Sequence, residues 1–231
     1  MAAMDDPIWV STLLKIHIAA GVIAFVMAPL ALATAKGGTA HRRWGKIYFW
    51  SMAVVASTAL ILAAWRPILF LALVAIFSFY AAFTAYRVLG HKNLPQTGKV
   101  QPLDWAAAVF TLMASLALVF LGAFRPAMVS HLGIPAIVFG IIGISFSGGD
   151  LWTFTHPPKE KMFWWFAHLQ GMIGSYIAAW TAFSVTTLGR FVHHAWWIWV
   201  LPTAIGVPCI SATTAYYKRK FAPRKKPVVA A

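Results

Sequence analysis

Charged side chains are scarce in this chain of 231 residues and cysteine is nearly absent. Asp, Glu, Lys and Arg together make 10% of it, and Cys209 is its one cysteine. Such a low charge, beside 61% hydrophobic residues and a mean hydropathy of +0.74, excludes an ordinary water-soluble domain and points to the bilayer as solvent. The lone cysteine excludes a disulfide framework and a cysteine-rich metal site, and inside an apolar run it reads as a small packing residue. A basic leader segment is also missing. The first apolar run ends in LALATAK, which superficially resembles a signal cleavage site, but it follows MAAMDDP where a signal peptide wants Lys or Arg, so it reads as a mature span. HExxH and comparable metal-ligand pairings are lacking.

The formal net charge is +14. A nucleic-acid binder carries its basic residues as a patch on a polar surface. Here Lys and Arg lie between apolar runs, so no nucleic-acid partner is expected. Runs long enough to cross about 30 Å of hydrocarbon fall near residues 10–34, 46–64, 68–89, 104–123, 130–152, 163–187 and 195–216. The expected fold is therefore all-α, a polytopic transmembrane bundle of seven spans. Residues 1–217 would form one transmembrane domain and 218–231 a basic tail. Two tight hairpins are expected at Trp65-Arg66-Pro67 and Phe124-Arg125-Pro126, each followed by a proline helix start.

Cytoplasmic loops retain Lys and Arg. With the N-terminus outside and the C-terminus in the cytoplasm, all of the 19 basic residues fall inside except Lys15, Arg66, Arg125 and Arg190. Most tryptophans then lie near span ends, as interfacial rings do, and only Trp50 and Trp180 sit clearly deeper. The expected location is a bacterial inner membrane, with the tail KRKFAPRKKP either binding anionic lipid headgroups or serving as a topology anchor.

Ionisable groups inside spans are costly and are candidate functional groups for that reason. A cytoplasmic layer collects most of them. His41, Gly45 and Tyr48 share one face if HRRWGKIY is helical, with Arg42 beside them. Asp150 ends a seam of small residues, Ala136, Gly140, Gly143 and Ser147, that lets backbones approach and turns Asp150 into the bundle. His168, Met172 and Ser175 recur at helical spacing, with Gly171 and Tyr176 beside them. In an outer layer stand His17, with Gly21 one turn below, and His131, while His193 and His194 read as interfacial. Each has a structural alternative. Asp150 would pair with Arg42 or Arg43, His168 would bond across helices to Ser or Tyr, and Met172 would pack.

At HRRWGKIYFW, with HIAAGVIAFVMAPLALA before it and HLQGMIGSYIAAWTAFSV after it, the chain resembles a family of predicted bacterial membrane proteins of unknown function. His17, His41, Arg42, Gly45, Tyr48, His168 and Met172 carry the match, which implies a helical membrane fold and no activity. A second, more limited likeness is to transmembrane diheme b-type cytochromes. It rests on the His, apolar helix and Pro of HIAAGVIAFVMAPLALATAKG and on the helix opening His-x-x-x-Gly, and it departs from that family in span count and His spacing. It implies haem b between paired axial histidines, His41 with His168 flanked by Gly45 and Gly171, and His17 with His131 flanked by Gly21 and Gly133.

The functional readings that follow are three. One is an electron-transfer or redox-sensing protein holding haem and exchanging electrons with quinone. Another is a non-catalytic accessory or assembly subunit of a larger membrane complex. The third is a proton-coupled transporter using Asp150 and His168 as a relay, although no inverted repeat is evident. A metal hydrolase with His41, Asp150 and His168 as ligands is a further possibility.

Overall fold

The computed structural model describes residues 6–66, 68–129, 132–189, 191–192 and 196–221. Among them no strand occurs and seven long helices do: α1 Ile8–Ala33, α2 Thr39–Trp65, α3 Leu69–Arg87, α4 Pro102–Phe124, α5 Gly133–Thr155, α6 Phe163–Leu188 and α7 Trp197–Phe221. Six of these, all but α6, are long and apolar enough to cross a membrane. Many large apolar side chains also point outward, among them Val22 at 59%, Phe110 at 61% and Met113 at 62% exposure. A surface of that kind is stable only in contact with lipid, and the chain is a multi-pass membrane protein.

Two helix starts differ from the sequence expectation. α2 begins at Thr39, ahead of the apolar run near 46, so that HRRWGKIY is helical and opens the helix. α5 begins at Gly133 rather than 130. The chain first makes a 3-10 turn over Pro126–Val129, so the second hairpin is looser than Phe124-Arg125-Pro126 alone implied. α7 continues through Lys218, Arg219 and Lys220 to Phe221, which makes the start of the basic tail a last helical turn. There the cations complement exposed carbonyls. The end of the tail, and His131, His193 and His194, lie outside the described residues.

Packing follows sequence-adjacent hairpins, α1 with α2, α4 with α5, and α6 with α7, gathered around α3, which touches α2, α4, α5 and α6. Alanine makes the first hairpin close: Ala20, Ala24, Ala28 and Ala31 are the buried residues of α1 together with Val10. Gly37, at φ +78°, turns the chain from α1 into α2. At the other end of that hairpin Arg66 pairs with Asp6, holding its carboxyl below the usual carboxylate range, while Trp9 packs edge-on to Trp65.

The small-residue seam of α5 packs on α4. A methyl at Gly140 would sit 2.7 Å from the Ser115 carbonyl oxygen and 2.6 Å from Val119 Cγ2. Ala136, Ser147 and Ser115 are wholly buried in this contact. An apolar cluster of Phe70, Leu73, Phe77, Leu118, Ala136 and Phe139 ties the pair to the outer half of α3. Replacing Gly140 by Leu is predicted to force α4 and α5 apart and lower the detergent unfolding midpoint sharply. Gly45→Ala, where an added Cβ meets nothing within 4 Å, should leave it unchanged.

Candidate cofactor site

In the half of the molecule that holds the start of α2 and the end of α3, called inner after the sequence expectation, α1, α2, α3 and α6 form a four-helix bundle. Each touches its neighbours around the ring, whereas no Cα atom of α2 comes within 8 Å of α6 across the middle. The diagonal is crossed by side chains. His41 of α2 and His168 of α6 meet edge to face with ring centroids 6.2 Å apart. One to two turns further out, Tyr48 Oη lies 2.6 Å from Ser175 Oγ. Ser175 also donates to the Met172 carbonyl at 2.9 Å, and Met172 packs against the cluster of Ala24, Ala28, Tyr48, Phe49 and Met52.

Each histidine is held by a carbonyl near the C-terminal end of a helix, and the Ala31 carbonyl also accepts from the Thr34 hydroxyl at 2.9 Å. His41 Nδ1 lies 2.9 Å from the Ala31 oxygen near the end of α1, and His168 Nδ1 lies 2.8 Å from the Ala85 oxygen near the end of α3. A carbonyl only accepts, so Nδ1 of each ring carries the hydrogen. In the neutral ring Nε2 is then left with its lone pair. This is the arrangement that orients ligating histidines, with the far nitrogen tied to a carbonyl and the near one presented to a metal. His17 repeats it in the outer half, with Nδ1 at 3.1 Å from the Val55 oxygen and 2.9 Å from Thr58 Oγ1. Thr58 directs its own hydroxyl to the Val54 carbonyl at 2.6 Å, so His17 is again the donor.

Two imidazoles across a bundle interior, with no thiolate or carboxylate beside them, suit the axial positions of a haem iron. The two flanking glycines differ. Gly45 opens on free space, whereas a Cβ on Gly171 would meet Ala85 Cβ at 2.6 Å and the Ala81 oxygen at 2.9 Å. Gly171 therefore admits α3, not a macrocycle, and that close approach brings the Ala85 carbonyl within reach of His168. No face of His17 can be related to His131, which lies outside the described residues.

Asp150 is elsewhere. Its Oδ2 accepts hydrogen bonds from Tyr80 Oη at 2.6 Å and Thr84 Oγ1 at 2.7 Å, both on α3. The ion pair with Arg42 or Arg43 does not form. Arg42 is exposed, and Arg43 lies over the Trp44 ring. Two hydroxyl donors from one neighbouring helix satisfy the carboxyl at lower desolvation cost than a buried guanidinium would. Nor does Asp150 join His41 and His168: among the described residues no three His, Cys, Asp or Glu side chains are grouped so as to hold a metal ion.

A third polar group is absent from the sequence expectation. Asp104 at the start of α4 is only 5% exposed and is clasped by Arg87, whose Nη2 donates to Oδ2 at 2.9 Å and to Gln101 Oε1 at 2.7 Å. His91 Nε2 stands 3.3 Å from the same carboxylate. A signal for it was present. Tyr80, Thr84, Arg87 and His91 recur at intervals of four, three and four, a polar stripe along one face of an otherwise apolar segment. Removing the cation from a buried pair leaves an unpaired charge, at roughly 3–5 kcal/mol. Arg87→Met is predicted to cost about the lower end of that range, because His91 remains, and Arg87→Met with Asp104→Asn should recover part of the loss in detergent unfolding. No family model, characterised protein or solved structure matches the chain.

Proposed function

We propose that the chain is a bacterial inner-membrane redox protein that binds haem b between His41 and His168. In this reading all seven long helices span the membrane, with the N-terminus outside and the C-terminus cytoplasmic. α6 spans as well: its polar residues, His168, Gln170, Ser175 and Tyr176, face α3, α7, α2 and α1 through hydrogen bonds, and a bundle interior tolerates such groups. The site then lies in the cytoplasmic half, where the basic loops collect.

One observation carries the reading: two histidines facing across a helix bundle, each with Nδ1–H fixed on a helix-terminal carbonyl. A structural role alone would need only that hydrogen bond, and in membranes an interhelical bond averages about 0.6 kcal/mol. Two rings that face each other across the bundle with Nδ1 fixed on a carbonyl each leave Nε2 uncommitted, as a ligand pair requires. The limited likeness of the His-x-x-x-Gly opening to b-type cytochromes agrees. Bound there, haem would supply one-electron transfer. The chain's own contribution is to fix both imidazole tautomers, to close the site from the α3 side through Ala81 and Ala85, and to set its dielectric by burial.

The test is the visible spectrum of protein purified in detergent from cells with ample haem, before and after dithionite. A Soret band with sharp reduced α and β bands is expected, lost or strongly weakened in His41→Ala and His168→Ala and kept in Asp150→Asn. A colourless protein, or a spectrum indifferent to both histidines, would overturn the proposal. Stoichiometric co-purifying subunits with no chromophore would favour the accessory-subunit reading.

A further inference from the structure

A cleft that the histidine pair does not use lies between α3, α5 and α6. One lobe, of about 220 Å³, opens at the inner end between α3, α4, α5 and α6 beside Arg87, Asp104 and Glu160. A second lobe, of about 360 Å³, runs outward between α3, α5 and α6 along Ser145, Phe146 and Gly149. Thr84, Asp150, Thr153 and Gln170 line both. α5 and α6 do not approach within 8 Å at any Cα pair, and Phe146 against Gly174 closes the outer end. Ser145 and Gly149 are exposed on the lipid-facing surface, so the second lobe is open sideways to the hydrocarbon as well as inward.

Both lobes mix apolar and polar side chains. The lateral lobe sets Ala85, Phe146 and Ala167 beside Thr84, Ser145 and Thr153. The inner end has an aromatic wall of Phe154, Phe163 and Phe166. At the junction stands Asp150. Both of its hydroxyl donors go to Oδ2, and no described residue donates to Oδ1. Gln170 uses its amide nitrogen on Thr214 at 3.3 Å, which leaves its carbonyl available. An accepting carboxylate oxygen and an accepting amide oxygen call for a ligand that donates hydrogen bonds. The charges agree. Asp104, Asp150 and Glu160 outnumber Arg87 and Lys218, and the two cations are already engaged, Arg87 on Asp104 and Lys218 4.0 Å from Glu160. An anionic headgroup is disfavoured at such a site. Finally, Ala85 lines the second lobe, and its carbonyl is the one that holds His168.

We infer that the cleft binds the head of a lipid-soluble hydroquinone, entering between α5 and α6, with Asp150 Oδ1 accepting a ring hydroxyl's hydrogen bond and the isoprenoid tail lying along Phe146 and Gly149. The inference rests on the redox reading for its purpose, since it sets the ring against the Ala85 peptide that anchors His168. Its binding chemistry stands apart from that reading.

Binding of decylubiquinol to the detergent-purified full chain, measured anaerobically by isothermal titration calorimetry, tests it. Saturable binding of one quinol is expected. Replacing the accepting Oδ1 by an amide N–H should weaken it about tenfold in Asp150→Asn, with the oxidised quinone, which cannot donate, binding the wild type less well than the quinol. Gly149→Leu should weaken binding similarly while leaving the unfolding midpoint in place, because a Cβ there meets nothing within 4 Å. It carries the test if Asp150→Asn does not fold. Absence of saturable binding, indifference to both Asp150→Asn and Gly149→Leu, or tighter competitive binding of an anionic phospholipid or of tetraphenylphosphonium would overturn the inference. A coloured protein that takes no quinol defeats this inference and not the haem proposal, and a colourless protein that takes quinol does the reverse.

Discussion

A helix that ends within or near a bilayer leaves its last carbonyls without partners, and hydrocarbon offers no water to satisfy them. In this protein the Ala31 carbonyl at the end of α1, which also accepts from Thr34, and the Ala85 carbonyl near the end of α3 are both met by imidazole N–H groups from other helices. Much of the inner half depends on this. The bond to Ala85 requires α6 to lie against α3, which Gly171 permits. The bond to Ala31 fixes the start of α2 on the end of α1. With both in place, His41 and His168 face one another across a diagonal that the backbones themselves leave open.

α3 is the shared element. Its outer half is apolar and packs on α4 and α5 through Phe70, Leu73 and Phe77. Its inner half is polar on one face and serves three separate groups: Tyr80 and Thr84 orient Asp150, Ala85 orients His168, and Arg87 neutralises Asp104. Since each group has its own partner on α3, Asp150 is not needed to balance a cation and can be spent on a ligand. The same division explains why the histidine pair and the carboxylate do not converge on one metal.

Length and hydropathy made six of the long helices legible from the amino-acid order, and glycine spacing made the α4–α5 contact legible, because Gly140 and Gly143 have no packing role other than admitting a neighbour. The face shared by His41, Gly45 and Tyr48 was legible for the same periodic reason. The partners of Asp150 were not. Two nearby arginines made an ion pair the obvious expectation, whereas hydroxyls on a helix sixty-six and seventy residues earlier satisfy it. Nor was the role of Gly171, since a missing Cβ can admit a cofactor or a backbone, and only the neighbour's position decides which. The Asp104 clasp was readable in the stripe from Tyr80 to His91, but its acid lies across a loop from its cation, and charge counting alone assigned Arg87 to topology.

Helix-terminal carbonyls, a fixed imidazole tautomer and an open diagonal together amount to a claim about ligation, namely that His41 and His168 would hold one iron. The electron paramagnetic resonance spectrum of the oxidised protein at low temperature tests that claim most directly. The account predicts a low-spin ferric signal from iron held by two imidazoles, lost or strongly weakened when His168 is replaced by Ala, with any haem that remains high-spin. A purified protein whose haem is high-spin with both histidines present, or which gives no ferric signal at all, would contradict it.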